Sequence, residues 1–135
     1  MKRIAILGST GSIGQQTLQV IESHPDHFSV EVLTANNNIE LLIEQAKKYK
    51  PNVVVIGNEE KYPILKEALK NEPVKVYAGT AAIAQVVEMG SIDTVLTAMV
   101  GYSGLLPTIK AIQANKAIAL ANKETLVVAG DLVTN

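Results

Sequence analysis

The chain contains no cysteine and no tryptophan. Without cysteine, disulfides and thiolate metal sites are excluded. One phenylalanine and four tyrosines in 135 residues are too few rings for an aromatic platform on which nucleic-acid bases stack. Charge of one sign is also lacking. The net charge is −1, so there is no basic excess to serve as a nonspecific nucleic-acid surface, and any anion recognition must be local. No apolar stretch reaches the ~20 residues that cross a bilayer. Ser9 and Ser12 break the opening apolar run too early for a signal peptide, so a cytoplasmic location is expected. Two catalytic signatures are missing as well. No Gly-Lys-Ser/Thr closes a Walker loop, and no G-x-S-x-G sets up a nucleophilic serine.

What the chain does have is small aliphatic residues. Hydrophobic residues make up 47% and charged residues 19%, which describes one globular domain able to bury a sizeable core. The packing falls to Ala, Val, Ile and Leu, which suits helices lying closely on a parallel sheet.

The most informative segment is the first. Lys2–Leu7 reads as a strand and runs directly into Gly8-Ser9-Thr10-Gly11-Ser12-Ile13-Gly14. Glycine is required where the backbone takes positive φ or approaches a ligand without a Cβ in the way. The helix that follows would offer unpaired N–H groups and the positive end of its dipole to an anion. The spacing is G-x-x-G-x-x-G rather than the G-x-G-x-x-G dinucleotide fingerprint, and a ligand-free strand–helix turn has the same pattern. Its place at the start of the chain, just after a strand, favours the phosphate-cradle reading.

Strand-like and helix-like segments alternate from there on. A helix is expected over Ile13–Ser23, with Ser12 as N-cap and Ile13, Thr17, Val20 and Ile21 on one face. Ser29–Thr34 reads as the second strand. Ile39–Tyr49 reads as a helix capped by Asn38, with Leu42, Ile43 and Ala46 inward. The β-branched run Val53–Ile56 marks a strand buried on both faces. A helix over Tyr62–Asn71 carries Pro63 in its first turn, and Val74–Tyr77 forms a short strand. Thr80 is expected to cap a helix over Ala81–Met89 that Gly90 ends. Asp93–Ala98 (strand), Leu105–Asn115 (helix) and Ala117–Ala121 (strand) follow, and residues from Thr125 onward read as helical to Asn135. The pattern predicts an α/β fold: a doubly wound parallel sheet of six strands, an NAD(P)-binding Rossmann-like domain over residues 1–135. Ligand loops are expected after strands one, two, five and six, beyond the carboxyl ends of the sheet. Nothing in Leu132-Val133-Thr134-Asn135 stops the last helix, and the chain reads as part of something longer.

Two further loops carry polar groups. Ala35-Asn36-Asn37-Asn38 follows the second strand, where an NAD-preferring domain places a carboxylate on the ribose 2′-hydroxyl. Glu31 comes too early and Glu40 lies in the helix. Amide and backbone donors without a carboxylate favour NADP over NAD, although asparagines also serve as turn and cap residues. Ala121-Asn122-Lys123-Glu124 joins an alanine-rich strand to the next element. It reads either as a binding cluster or as a helix start with Asn122 as cap. Met99-Val100-Gly101-Tyr102-Ser103-Gly104 could let backbone approach the nicotinamide end of a cofactor, or could be a plain loop. His24 and His27 flank Pro25-Asp26, at the end of the sheet away from these loops and without further metal ligands. The Lys/Glu pattern of residues 59–72 reads as a solvated helix face.

Three blocks together resemble the 1-deoxy-D-xylulose 5-phosphate reductoisomerase family. They are Gly8-Ser9-Thr10-Gly11-Ser12-Ile13-Gly14, Gly101-Tyr102-Ser103-Gly104-Leu105-Leu106-Pro107-Thr108 and Leu120-Ala121-Asn122-Lys123-Glu124-Thr125-Leu126-Val127. The resemblance covers the whole chain in order. It implies that Thr10, Gly11, Ser12 and Ile13 hold the pyrophosphate of NADPH, and that Asn36, Asn37 and Asn38 face the adenosine ribose and its 2′-phosphate. Asn122 and Glu124 would bind NADPH, and Lys123 would reach a phosphosugar substrate. Family members often have Gly-Lys/Arg-Asn where this chain has Asn36-Asn37-Asn38, so a cation is missing at Asn37. The implied reaction is an NADPH-dependent isomerisation and reduction to 2-C-methyl-D-erythritol 4-phosphate, in isoprenoid biosynthesis by the non-mevalonate pathway. Mg²⁺ or Mn²⁺ would polarise the substrate oxygens. The family's metal ligands, catalytic domain and C-terminal helical domain fall beyond these residues. The chain alone is therefore expected to bind NADPH without turnover, and a homodimer is expected only of the full-length protein. The alternative is a non-redox nucleotide-binding or regulatory module on the same fold.

Overall fold

The computed structural model describes residues 2–97, 117–121 and 126–128. Its strands are β1 (Lys2–Leu7), β2 (Phe28–Ala35), β3 (Val53–Ile56), β4 (Lys75–Ala78), β5 (Thr94–Thr97), β6 (Ala117–Ala121) and β7 (Leu126–Val128). Its helices are α1 (Ser12–Glu22), α2 (Ile39–Tyr49), α3 (Tyr62–Ala68) and α4 (Thr80–Val86), with a 3₁₀ turn at Glu59–Lys61 before α3. The strands form one sheet in the order β4-β3-β2-β1-β5-β6-β7. From β1 the chain steps outward through β2, β3 and β4, then returns to the other side of β1 for β5 and β6. The switch in strand order therefore lies between β1 and β5, where ligand crevices form in sheets of this kind.

Alternation along the strands builds two cores. Ile4, Ile6, Val54, Ile56 and Leu96 face α1, α2 and α3, meeting Leu18, Ile21, Leu42, Ala46 and Leu65. Ala5, Leu7, Val53, Val55 and Val95 face the other way, onto Ile83, Val86 and Val87. Each fully buried aliphatic side chain contributes about 1.5–3 kcal/mol, so both faces of the central strands are stabilised. One residue breaks the alternation. Ile4 pairs with Val30 but Ala5 pairs with Val32, leaving Glu31 as a bulge. Val30 and Leu33 thereby share one core while Val32 joins the other. At the amino ends of β1 and β5, Asp93 receives Arg3 Nε at 3.1 Å and Arg3 Nη2 at 3.1 Å. This hydrogen bond first, and the carboxylate's charge second, raise the guanidinium pKa further.

Several expectations need correction. Residues after Thr125 are not helical at their start: Leu126–Val128 is a seventh strand, antiparallel to β6, with Ala121 opposite Leu126 and Ala119 opposite Val128. A Leu-Val-Val run fits a pleated edge better than a helix, and pairing to β6 decides it. The N-cap of α1 is Gly11 rather than Ser12, and that of α4 is Gly79 rather than Thr80. In α1 the buried residues are Gly14, Thr17, Leu18 and Ile21, whereas Val20 is exposed. The helix docks by Gly14, and this sets its rotation about its axis. The helices expected to reach Asn71 and Met89 end earlier, at Ala68 and Val86. By contrast, β1, α2, β3 and β6 have the bounds expected of them.

Candidate functional site

The glycine turn sits at the carboxyl end of β1, beside the switch in strand order. Gly8 takes φ +86°, a conformation that side chains strain. Its N–H donates to both the carbonyl and the hydroxyl of Thr34, each at 3.1 Å, and the Ser9 N–H donates to the same carbonyl at 2.9 Å. The turn is thereby fastened to β2.

A buried polar clamp fastens it to α2 as well. Ser9 is fully buried, its hydroxyl 2.7 Å from Gln45 Oε1. Gln45 Nε2 donates back to the Ser9 carbonyl at 2.8 Å. Buried amides and hydroxyls are tolerated when paired in this way.

The remaining glycines differ in what they do. A Cβ on Gly14 would lie 2.3 Å from the Gly8 carbonyl oxygen and 2.7 Å from Ser9 Cα, so α1 can approach the turn only because residue 14 is glycine. A Cβ on Gly11 would meet a single atom, the Gly8 oxygen, at an ordinary 3.7 Å. Gly11 also has extended backbone, φ −72° and ψ 169°, open to any residue. Nothing among the described residues requires glycine at 11. The space it leaves lies at the exposed start of α1, where the N–H groups of Ser12, Ile13 and Gly14 have no hydrogen-bond acceptor among the described residues. Several unpaired N–H groups at one helix start are able to receive an anion. Of the expected cradle residues, Thr10, Gly11, Ser12 and Ile13 thus come together, and the Thr10 carbonyl is taken by Gln15 Nε2 at 3.0 Å.

Asn36, Asn37 and Asn38 stand exposed at the carboxyl end of the neighbouring strand β2. Asn38 caps α2 as expected, its Oδ1 accepting from the Leu41 N–H at 3.2 Å. The Asn36 carbonyl accepts from the Asn58 N–H at 2.9 Å, and Asn37 Oδ1 accepts from Asn58 Nδ2 at 3.0 Å. Glu31 plays no part here. It is buried in its bulge, where Asn52 Nδ2 donates to it at 2.7 Å.

The loop after β3 is the element that sequence reasoning left out. Lys61 is half-buried and its Nζ donates to the Asn37 carbonyl at 2.9 Å, so it does not belong to a solvated helix face. Lys70, paired with Glu67 at 2.7 Å, does. A loop after a third parallel strand ends beside the loop after the second, and that adjacency was the available signal. Asn122, Lys123, Glu124 and the Met99–Gly104 loop lie outside the described residues. His24 and His27 lie between α1 and β2, with ring centroids 6.2 Å apart. Among the described residues no group of three or more metal-ligating side chains converges.

A mostly parallel sheet covered on both faces, with a glycine turn at its switch point, defines an α/β protein of Rossmann type. The family model for 1-deoxy-D-xylulose 5-phosphate reductoisomerase matches residues 4–130, and the chain belongs to that family. A Bacteroides thetaiotaomicron protein of that name is 70% identical over 132 residues, 98% of this chain and 34% of the relative. A Nostoc punctiforme protein of the same name is 47% identical over 98% of this chain and 34% of its own length. The solved reductoisomerase from Zymomonas mobilis in complex with NADPH superposes with a TM-score of 0.84 at 41% identity, over 91% of this chain and 32% of that one. A reductoisomerase structure holding NADPH, fosmidomycin and magnesium gives 0.87 at 34% identity, over 99% of this chain and 33% of that one. The chain therefore spans about a third of the length of the curated relatives it matches. Membership of this family does not favour the alternative of a non-redox regulatory module.

Proposed function

We propose that residues 1–135 are the NADPH-binding part of a 1-deoxy-D-xylulose 5-phosphate reductoisomerase. One observation carries this reading: a helix start whose Ser12 and Ile13 amides find no acceptor among the described residues, preceded by a glycine at 11 that no contact there requires. Thr10, Gly11, Ser12 and Ile13 would hold the diphosphate. Asn36, Asn37 and Asn38 would face the adenosine ribose, with no free carboxylate on β2 to repel a 2′-phosphate. Asn122 and Glu124 are proposed as further cofactor contacts, and Lys123 as the contact to a phosphosugar. The relatives solved with NADPH support the choice of cofactor.

When bound, NADPH supplies a hydride for reduction of an isomerised ketose phosphate to 2-C-methyl-D-erythritol 4-phosphate. The protein's described residues orient the cofactor's adenosine and diphosphate. The chain spans about a third of its relatives' length, and turnover is assigned to the complete protein, working as a cytoplasmic homodimer.

The test is thermal melting of the chain with NADPH, NADH and ADP, since a ligand that binds only the native state raises the melting temperature. NADPH should raise it most. An equal response to all three would instead favour a general nucleotide module, and no response would refute the reading. Steady NADPH consumption by the chain alone, with substrate and Mn²⁺, would refute its assignment as a binding part only.

A further inference from the structure

We infer that Lys61 supplies the positive charge of the 2′-phosphate pocket, standing in for the cation that the β2 loop lacks. The inference rests on the reading of Asn36, Asn37 and Asn38 as the ribose-facing loop. That loop offers amides but no charge, whereas a phosphate monoester carries close to two negative charges at neutral pH. Charge-assisted hydrogen bonds are roughly twice as strong as neutral ones, so a loop of asparagines alone would discriminate poorly between NADPH and NADH.

The geometry delivers the charge from the next strand. Gly57 donates to the Ala35 carbonyl at 2.7 Å, and Asn58 to the Asn36 carbonyl at 2.9 Å. Asn58 Nδ2 ties to Asn37 Oδ1, and the Lys61 N–H donates to the Asn58 carbonyl at 3.0 Å. This ladder joins the β3 loop to the asparagine loop and carries Lys61 onto it. A Cβ on Gly57 would lie 2.8 Å from Asn36 Oδ1, so the close approach of the two loops depends on glycine there.

Lys61 Nζ has three N–H donors. The Asn37 carbonyl accepts one at 2.9 Å, which fixes the ammonium at the rim of the loop and leaves donors for a phosphate oxygen. Of the two acids beside it, Glu59 is turned outward: its Oε1 lies 2.6 Å from the Cβ position of Gly79, at the end of the outermost strand β4. Glu60 is exposed and bound through its backbone N–H to Asn58 Oδ1 at 3.0 Å.

The experiment measures NADPH and NADH dissociation constants by fluorescence titration of the full chain, for the parent and for Lys61→Met, Lys61→Arg and the double variant Asn37→Lys with Lys61→Met. Loss of one charge-assisted bond should weaken NADPH binding by about tenfold or more and leave NADH binding unchanged. The unchanged NADH affinity also reports that the variant is folded. Arginine should retain most of the preference, and lysine at 37 should restore it. If Lys61→Met keeps the parent's NADPH-to-NADH ratio, Lys61 is not the discriminating cation, although the site stands. Should Lys61→Met melt on purification, loss of the preference in Lys61→Arg with NADH binding intact would likewise overturn the assignment. A parent chain with no NADPH preference at all would overturn the ribose-loop reading itself, and this inference with it.

Discussion

Two glycines in one turn are expected to fail in opposite ways, and the contrast tests the cradle directly. Replacing Gly14 by alanine puts a methyl 2.3 Å from the Gly8 carbonyl oxygen, and reaching even 3.0 Å requires helix and turn to part by 0.7 Å. The obstacles are backbone atoms, which cannot swing aside. Overpacking of this kind costs about 1–3 kcal/mol or more, against which the helix preference for alanine returns about 1 kcal/mol. Three backbone atoms within 3.0 Å of the new methyl put the cost at the upper end of that range, and the resulting net loss of about 2 kcal/mol should lower the melting temperature by roughly 8 °C in a domain of this size. Replacing Gly11 by alanine meets only the 3.7 Å contact and an allowed backbone conformation. Alanine is a poorer N-cap than glycine but restricts the unfolded chain, so stability should stay within about 1 kcal/mol of the parent. The new methyl, however, stands at the start of α1, beside the unpaired amides proposed to hold the diphosphate. Displacing a diphosphate from one or two of those donors should weaken NADPH binding by about 10- to 100-fold. Scanning calorimetry and NADPH titration on both variants give the four numbers. Unimpaired NADPH binding by Gly11→Ala would refute the cradle, and a parent-like melting temperature for Gly14→Ala would refute the close approach.

The Gln45 clamp and one tyrosine give two further expectations. Gln45→Leu strips the Ser9 carbonyl of its side-chain donor; the hydroxyl can turn to the Thr34 carbonyl at 3.3 Å, but the carbonyl finds no substitute. A buried unsatisfied acceptor costs about 1–3 kcal/mol, so melting should fall by several degrees with NADPH binding weakened alongside, and calorimetry with titration checks both. Tyr49 donates its hydroxyl proton to Glu22 Oε2 at 3.2 Å. Burial first, and the Glu22 charge second, raise its pKa above the ordinary 10.0. Its stabilising share is therefore complete below pH 10.0 and disappears as pH rises through the elevated value. An ultraviolet titration of the parent against Tyr49→Phe should show the variant missing a late-ionising ring.

Much of this fold is readable because buried parallel strands must be apolar on both sides. Val53–Ile56 could hardly be anything else, and the amphipathic spacing of Ile39–Tyr49, with Asn38 before it, fixes α2 at both ends. Legibility stops where a neighbour in space decides. The face of α1 turned on Gly14 meeting Ser9, a contact that periodicity cannot express. The strand Leu126–Val128 exists by pairing with β6, and a three-residue apolar run carries no period of its own. The strand–turn–helix junction was visible as a glycine pattern because the backbone needs of Gly8 and Gly14 leave a compositional trace. Lys61 left none, since its role arises from the lateral adjacency of two loops 24 residues apart in sequence.

The reach of Gln45 from α2 to the Ser9 carbonyl has a mechanical consequence. Asn38 begins the same helix, so the turn proposed for the diphosphate and the loop proposed for the ribose hang from one rod. Their spacing is set before any ligand arrives, as a gauge cut to a single length, and little freedom is left to surrender on docking. A nucleotide bridging both would in turn brace α2 from end to end, slowing amide exchange along its whole length rather than only at the contacts.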